Sequence, residues 1–136
     1  MKKLFNLSAG LAMAVMPLLT PKAPAADGPY KLQMVALECI TTEDYTGPDE
    51  AVLKVNGIHR WGPVSINDGE SKDLRGTRPF TFQDRAVISL IDEDSPDPDD
   101  FLGSHAAYAS EVDQGEHDAF FDGDGARYRR IYYVTR

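Results

Sequence analysis

The sequence has 136 residues, of which 42% are apolar, with 22 acidic and 14 basic side chains and a formal net charge of −8. A chain of this length holds one domain with a modest core, and its apolar content argues against disorder. The acidic excess excludes the basic surface that recognises nucleic acid, and it repels anionic membranes unless a cation intervenes.

The first 25 residues are typical of a secretory signal peptide. They hold three of the 14 basic residues and no acidic one, with a basic head at 1–3, a mostly apolar run at 4–19 and the small-residue site 23–25. Cleavage after Ala25 leaves one domain, 26–136, with a net charge of −11. A retained membrane anchor is the alternative interpretation, but the apolar run is short for spanning a bilayer. We therefore expect a secreted or periplasmic protein.

Short alternating runs of apolar residues, separated by turn residues, follow along the rest of the chain, without the 3.6-residue periodicity of a helix. Eight strands are predicted, at 30–41, 51–56, 60–66, 71–82, 86–91, 102–109, 116–121 and 127–135. This number favours an all-β fold, an eight-stranded antiparallel β-sandwich. Cys39 shares an apolar face with Val35 and Leu37, so we expect a buried thiol rather than an intermolecular disulfide. The last strand has no clean apolar face.

The connections at one end of this sandwich are acidic. If the strands run alternately up and down, the loops 42–50, 67–70, 92–101 and 122–125 emerge at the same end. Of the opposite connections, only 110–116 is markedly acidic, whereas charge that served solubility alone would be spread over both ends. The turn 122–125 contains two glycines and is expected to be a tight hairpin, with a second cation site as the alternative.

The densest of these loops holds six carboxylates in the nine residues 92–100. Two carboxylates about 4 Å apart repel by roughly 4 kcal/mol at an effective dielectric constant of 20. The chain must therefore splay them into water, protonate one or neutralise them with a cation. Pro96 and Pro98 stiffen the loop against splaying, and several carboxylates suit Ca²⁺, which takes six to eight oxygen ligands. A solvated acidic loop without an ion is the alternative interpretation.

Two of the loops carry a resemblance to the C2-domain family, the calcium-dependent β-sandwich of protein kinase C and the synaptotagmins. The first loop reads Asp44-Tyr45-Thr46-Gly47-Pro48-Asp49 and leads into a strand. The third combines Asp92-Glu93-Asp94 with Asp100-Phe101-Leu102-Gly103 at the family's interval. With one strand before the first loop, the strand order resembles the permuted (type II) form of the family.

The resemblance implies a set of calcium ligands in these two loops. Asp44 and Asp49 correspond to the first-loop ligands, and Asp92, Asp94 and Asp100 to the third-loop ligands, with the carbonyl of Glu93 adding a further oxygen. The family has one more residue before the second aspartate of the first loop. Glu50 is therefore an alternative to Asp49 at that position.

Catalysis is not expected. His59, His105 and His117 lack the spacing of a zinc pair and are expected to be exposed, and the Gly-x-Ser-x-Gly motif of hydrolases is absent. A domain this small also has few residues left to line a substrate cleft.

The sequence therefore predicts a secreted calcium-binding module that stabilises its own fold or binds a cell-surface, glycan or protein partner. Membrane lipid is not expected as a partner, because Tyr45 and Phe101 are the only apolar candidates at the loop tips and Phe101 is expected to pack in the sandwich mouth. The alternative is a small secreted proteinase inhibitor or another non-catalytic interaction protein without metal. Such inhibitors are usually braced by disulfides, which one cysteine cannot form within the chain.

Overall fold

A computed structural model describes residues 28–43 and 47–136. The predicted signal peptide and Asp44 lie outside these residues. The described part contains nine β-strands and one 3-10 helix. The strands are β1 (Tyr30–Thr41), β2 (Asp49–Val55), β3 (Ile58–Ile66), β4 (Ser71–Asp73), β5 (Phe80–Phe82), β6 (Arg85–Asp92), β7 (Asp100–Tyr108), β8 (His117–Phe121) and β9 (Arg127–Thr135), and the 3-10 helix Ala109–Glu111 follows β7. No helix in this part of the chain is long and apolar enough to cross a membrane.

The strands form two antiparallel sheets, which confirms the predicted β-sandwich. One sheet has the order β4-β1-β9-β8, with β5 also paired to β1, and the other has the order β3-β2-β6-β7. The first and last described strands are neighbours, with Lys31 opposite Thr135 and Thr41 opposite Arg127. This arrangement agrees with the permuted (type II) order.

The strand count of eight was wrong, because the predicted strand 71–82 is two short strands. Asp73 accepts hydrogen bonds from the main chain and the guanidinium of Arg75, which turns the chain away from β1 directly after β4. Pro79, which lacks an N–H, precedes β5. Both β4 and β5 pair antiparallel with β1 and so run in the same direction. The extra strand therefore does not change the end of the sandwich at which each later loop is predicted to emerge.

The core lies between the sheets and is lined by alternate residues of each long strand. On β6, Ala86, Ile88 and Leu90 are fully buried, and Cys39 on β1 is a buried free thiol, as predicted. Burial raises the pKa of Cys39 to about 11, so the thiol stays protonated at neutral pH.

The last strand does have a clean buried face, contrary to the prediction. Tyr128, Arg130, Tyr132 and Val134 of β9 all point into the sandwich. The alternation was hidden in the sequence because this inner face includes an arginine and the outer face includes Ile131 and Tyr133.

The four acidic connections emerge at one end of the sandwich, which we call the acidic end. Main-chain hydrogen bonds join neighbouring loops to strands there: Gly69 donates to Cys39, and Gly123 donates to Leu102. A Cβ at Gly123 would lie 2.7 Å from the carbonyl carbon of Leu102, so only glycine permits this close packing.

Candidate metal centre

Four carboxylates converge at the acidic end, from Glu43, Asp92, Asp94 and Asp100. Each offers one oxygen, and these oxygens all lie within 4.8 Å of one another. Asp92 is buried and the other three are half-buried. We call this set the carboxylate cluster.

The strands bring these residues together by simple register. Asp92 ends β6 and Asp100 begins β7, and the two lie opposite each other in the antiparallel ladder. Asp92 also lies opposite Ala51 of β2, which follows the loop that contains Glu43. The cluster therefore joins the β1–β2 loop to the β6–β7 loop.

Main-chain hydrogen bonds hold the cluster's loops in place. Asp92 accepts the N–H of Glu50 at 2.7 Å, and Glu93 donates its N–H to the carbonyl of Glu50 at 2.9 Å. Asp94 donates its N–H to a carboxylate oxygen of Asp99 at 3.3 Å. The bonds with Glu50 link the β6–β7 loop to the start of β2, and the bond between Asp94 and Asp99 lies within the loop.

The donor set is that of a hard divalent cation. Among the described residues, the cluster consists of four carboxylates and includes no histidine or cysteine, the ligands that zinc sites use. Carboxylates this close repel one another by several kcal/mol at an effective dielectric constant of 20. A bound cation would offset this repulsion, so the cluster could hold a hard divalent ion with oxygen ligands.

The structure brings together three of the residues that the sequence predicts as side-chain ligands: Asp92, Asp94 and Asp100. Asp44 lies outside the described residues, and the carbonyl of Glu93 stays a predicted ligand.

Asp49 lies differently from the prediction. It is fully buried, and its carboxylate accepts hydrogen bonds from the Tyr128 hydroxyl at 2.5 Å and from the Glu43 N–H at 3.0 and 3.2 Å. The carboxylate cluster, as found among the described residues, does not include it. Glu50, the alternative, contributes its main chain to the site through the hydrogen bonds with Asp92 and Glu93.

Glu43 is the member of the cluster that the sequence analysis did not single out. It stands beside Asp44 in the acidic first loop, so the loop was identified but not the residue. The family motif begins at Asp44, one position after Glu43, so the motif assigned the role of first metal ligand to Asp44 alone.

Two other predictions concern this end. The 122–125 turn joins the antiparallel neighbours β8 and β9, which confirms the predicted hairpin. Asp122 of the 122–125 turn forms an ion pair with Arg127, with 2.7 Å between Oδ1 and Nη1, and is not among the clustered carboxylates. Phe101 does not pack in the sandwich mouth; 58% of its surface is exposed. The first residues of β7 alternate, so Leu102 points inward and Phe101 outward.

A second concentration of charge lies between the sheets, around Tyr132 of β9. The Tyr132 hydroxyl donates to both carboxylate oxygens of Glu111 at 3.0 Å and lies 3.2 Å from Nε2 of His105. His117 stacks on the Tyr132 ring, with its Nδ1 3.9 Å from Glu111. The predicted exposure of the histidines was therefore wrong for these two, because both lie beside the inner face of β9. We call this set, together with Arg130, the β9 cluster.

Arg130 is the cation of the β9 cluster. Its guanidinium lies 4.1 Å from the centre of the Tyr132 ring, and none of its three nitrogens has a hydrogen-bond partner among the described residues. Burial lowers the pKa of Arg130 to about 10, so the side chain stays charged at neutral pH. Burial, followed by the charge of Arg130, also lowers the pKa of His105.

Comparison with solved structures identifies the fold. A C2 domain is similar over 79% of this chain and 97% of its own, with a TM-score of 0.53 and 18% identity. The first C2 domain (domain A) of plant extended synaptotagmin 1 is similar over 84% of this chain and 95% of its own, with a TM-score of 0.59 and 12% identity. The paired C2 domains (A and B) of extended synaptotagmin 2 match over 95% of this chain and 47% of theirs, with a TM-score of 0.54 and 18% identity.

No protein-family model matches the sequence, and a search of curated proteins found no match. The likeness to solved structures therefore shows a C2-like β-sandwich, in agreement with the resemblance drawn from the loop motifs. Function has to be argued from the carboxylate cluster itself.

Proposed function

We propose that the protein is a non-catalytic calcium-binding module whose ion is held at the acidic end. The observation that carries this proposal is the convergence of four carboxylates, from two separate loops, within 4.8 Å of one another. Glu43, Asp92, Asp94 and Asp100 supply the side-chain ligands. The Glu93 carbonyl and Asp44 are the proposed further ligands from the same two loops.

The geometry favours calcium over other divalent ions. Ca²⁺ accepts six to eight oxygens in flexible arrangements, whereas Mg²⁺ demands a tight octahedron and retains most of its water. Ligands that come from two loops and from the strand ends beside them suit the larger and more tolerant ion. We infer that Ca²⁺ is bound, with the main-chain hydrogen bonds of the loops fixing the carboxylates in advance.

The proposed location, outside the cytoplasm, makes a weak site sufficient. Extracellular calcium-binding modules have dissociation constants of about 0.1 to 1 mM. An ion bound at ten times its dissociation constant adds about 1.4 kcal/mol to the free energy of unfolding. The bound ion also lowers the negative charge of the acidic end, where the exposed Phe101 offers an apolar contact. We propose that this end stabilises the fold or binds a cell-surface, glycan or protein partner.

Thermal unfolding of the purified domain 26–136 tests the proposal. The melting temperature is measured in chelator, in 10 mM Ca²⁺ and in 10 mM Mg²⁺ at constant ionic strength. We expect calcium to raise it by several degrees, because about 1 kcal/mol corresponds to roughly 4 °C or more in a domain of about 100 residues. Equal melting temperatures in chelator and in calcium contradict the proposal, and equal shifts with both ions indicate charge screening only.

A further inference from the structure

The buried carboxylate of Asp49 lies next to the proposed calcium site without belonging to the carboxylate cluster. Its β2 strand places Asp49, Ala51, Leu53 and Val55 on the inner face, so the Asp49 side chain points into the sandwich. Both Asp49 and Tyr128 are fully buried. A charged group in this position needs strong hydrogen bonds, because an uncompensated buried carboxylate is costly.

Two donors meet at the Asp49 carboxylate. The Tyr128 hydroxyl donates to Oδ2 at 2.5 Å, across the sandwich from β9 to β2. The main-chain N–H of Glu43 donates to the same carboxylate, at 3.0 Å from Oδ2 and 3.2 Å from Oδ1. Burial, followed by the hydrogen bond to Asp49, raises the pKa of Tyr128, so the phenol remains a donor.

Glu43 is the residue that the β1–β2 loop contributes to the carboxylate cluster. Its main chain is held by Asp49, and Asp49 is held by Tyr128 from the opposite sheet. The neighbouring residue Thr42 is held in a similar way, because its N–H donates to Asp68 at 2.7 Å. The loop that carries Glu43 is thus held at two successive main-chain positions, by Asp68 of the neighbouring 67–70 loop and by the buried Asp49.

We propose that Asp49 and Tyr128 are positioning residues for the calcium site and act on the ion through Glu43. This inference rests on the proposed function. The Tyr128–Asp49 pair fixes the Glu43 main chain and so directs the Glu43 carboxylate toward Asp92, Asp94 and Asp100. Residues that hold metal ligands in place commonly account for about 10 to 100-fold in metal affinity.

A double-mutant cycle on calcium affinity tests the inference. Asp49→Asn, Glu43→Gln and the double variant are titrated with Ca²⁺ by calorimetry. We expect about a tenfold rise in the dissociation constant for Asp49→Asn, and no further rise when it is added to Glu43→Gln. Additive losses overturn the inference, because Asp49 then acts on calcium binding independently of Glu43.

Tyr128→Phe provides an independent variant if Asp49→Asn does not fold. It removes one hydroxyl and is expected to weaken calcium binding severalfold. Tyr132→Phe is the matched control, since it removes a buried hydroxyl from the same face of β9 that bonds Glu111 instead. Equal calcium affinities in the two variants overturn the inference.

Amide exchange in chelator separates this inference from the proposed function. The Glu43 N–H should exchange more slowly in the wild type than in Asp49→Asn, whether or not an ion is bound. Unchanged exchange overturns the positioning role while leaving calcium binding intact. A wild-type protein that binds no calcium rejects the proposed function, and the positioning role with it, even if the Glu43 amide is protected.

Discussion

The carboxylate cluster and the β9 cluster each contain a charged residue at an inward-facing strand position, Asp92 and Arg130 respectively, yet the two regions are built differently. Asp92 continues the buried face of β6 into the acidic end, where other loops add their carboxylates. Arg130 lies in the middle of β9, fully enclosed and stacked on Tyr132. An inward charge at a strand end can be balanced by an ion from solvent. A buried charge at the centre of a strand must be stabilised by the side chains packed against it and by nearby charged groups of the protein.

The largest expected effect comes from removing the enclosed cation. Arg130→Met keeps an unbranched side chain that can pack beside Tyr132, but it is shorter and removes a buried charge whose nitrogens have no hydrogen-bond partner among the described residues. Because burying polar nitrogens and a charge without hydrogen-bond partners is costly, we expect a gain of about 1 to 3 kcal/mol in the free energy of unfolding. Urea unfolding in chelator measures it.

Arg129→Met is the matched control for this variant. Arg129 is the next residue of β9, faces outward and pairs with Glu38 at 2.9 Å and with Asp118 at 2.7 Å. Since these pairs are partly exposed, their loss should cost less than about 1 kcal/mol. Destabilisation by Arg130→Met larger than that of Arg129→Met would falsify the view that the enclosed guanidinium is a net cost to the fold.

The next largest effect concerns the repulsion between carboxylates at the acidic end and its neutralisation by calcium. Asp94→Asn removes one charge of the carboxylate cluster and is expected to abolish the calcium-dependent stabilisation, about 1.4 kcal/mol at ten times the dissociation constant. In chelator the same change should stabilise the protein slightly, because it relieves repulsion. Melting curves with calcium and with chelator measure both effects.

Asp97→Asn is the control for Asp94→Asn. Asp97 lies in the same loop, is exposed and is not among the clustered carboxylates. It should therefore change neither quantity appreciably. Equal losses from the two substitutions point to diffuse screening by calcium rather than to a defined site.

The smallest effect is a pH dependence in the β9 cluster. The groups that face His105 are Tyr132, Glu111, His117 and Arg130, and burial followed by the charge of Arg130 lowers the His105 pKa below its ordinary value of 6.5. The unfolded chain therefore binds a proton more readily. The stability contributed by neutral His105 is fully present above pH 6.5 and is lost as the pH falls through the lower folded-state pKa.

Urea unfolding in chelator between pH 7.5 and 5 measures this dependence. His105→Gln should flatten the slope, whereas His59→Gln should leave it unchanged, because His59 is exposed on β3 and bonds the carbonyl of Gly62. A slope that survives His105→Gln assigns the effect to other titrating groups.

The sequence predicted most of the architecture because alternation follows directly from strand geometry. The phase of β6 placed Asp92 at the mouth of the sandwich, and the loop spacing brought Asp94 and Asp100 to the same place. The division of 71–82 into two strands was missed because it depends on Asp73 bonding Arg75, a local contact that the residue pattern does not reveal. Likewise, spacing alone cannot show that Glu43, next to Asp44 in the first loop, joins the carboxylate cluster.

The inner face of β9 was missed for a related reason. A pattern of apolar and polar residues assigns arginine to the surface, but here aromatic rings and Glu111 surround a buried guanidinium. Asp49 illustrates the same limit at the acidic end. The motif singles out Asp49 by its spacing, but the direction of its side chain depends on Tyr128, 79 residues further along the chain.

The pairing of β1 with β9 has a practical consequence for experiments on solid supports. Lys31 lies opposite Thr135, at the end of the sandwich farthest from the carboxylate cluster, because Thr41 and Arg127 form the other end of the same ladder. Nine residues of strand span roughly 30 Å. A linker attached after Arg136 therefore leaves the acidic end facing solution, so an immobilised protein keeps its proposed binding surface free for ions and soluble partners.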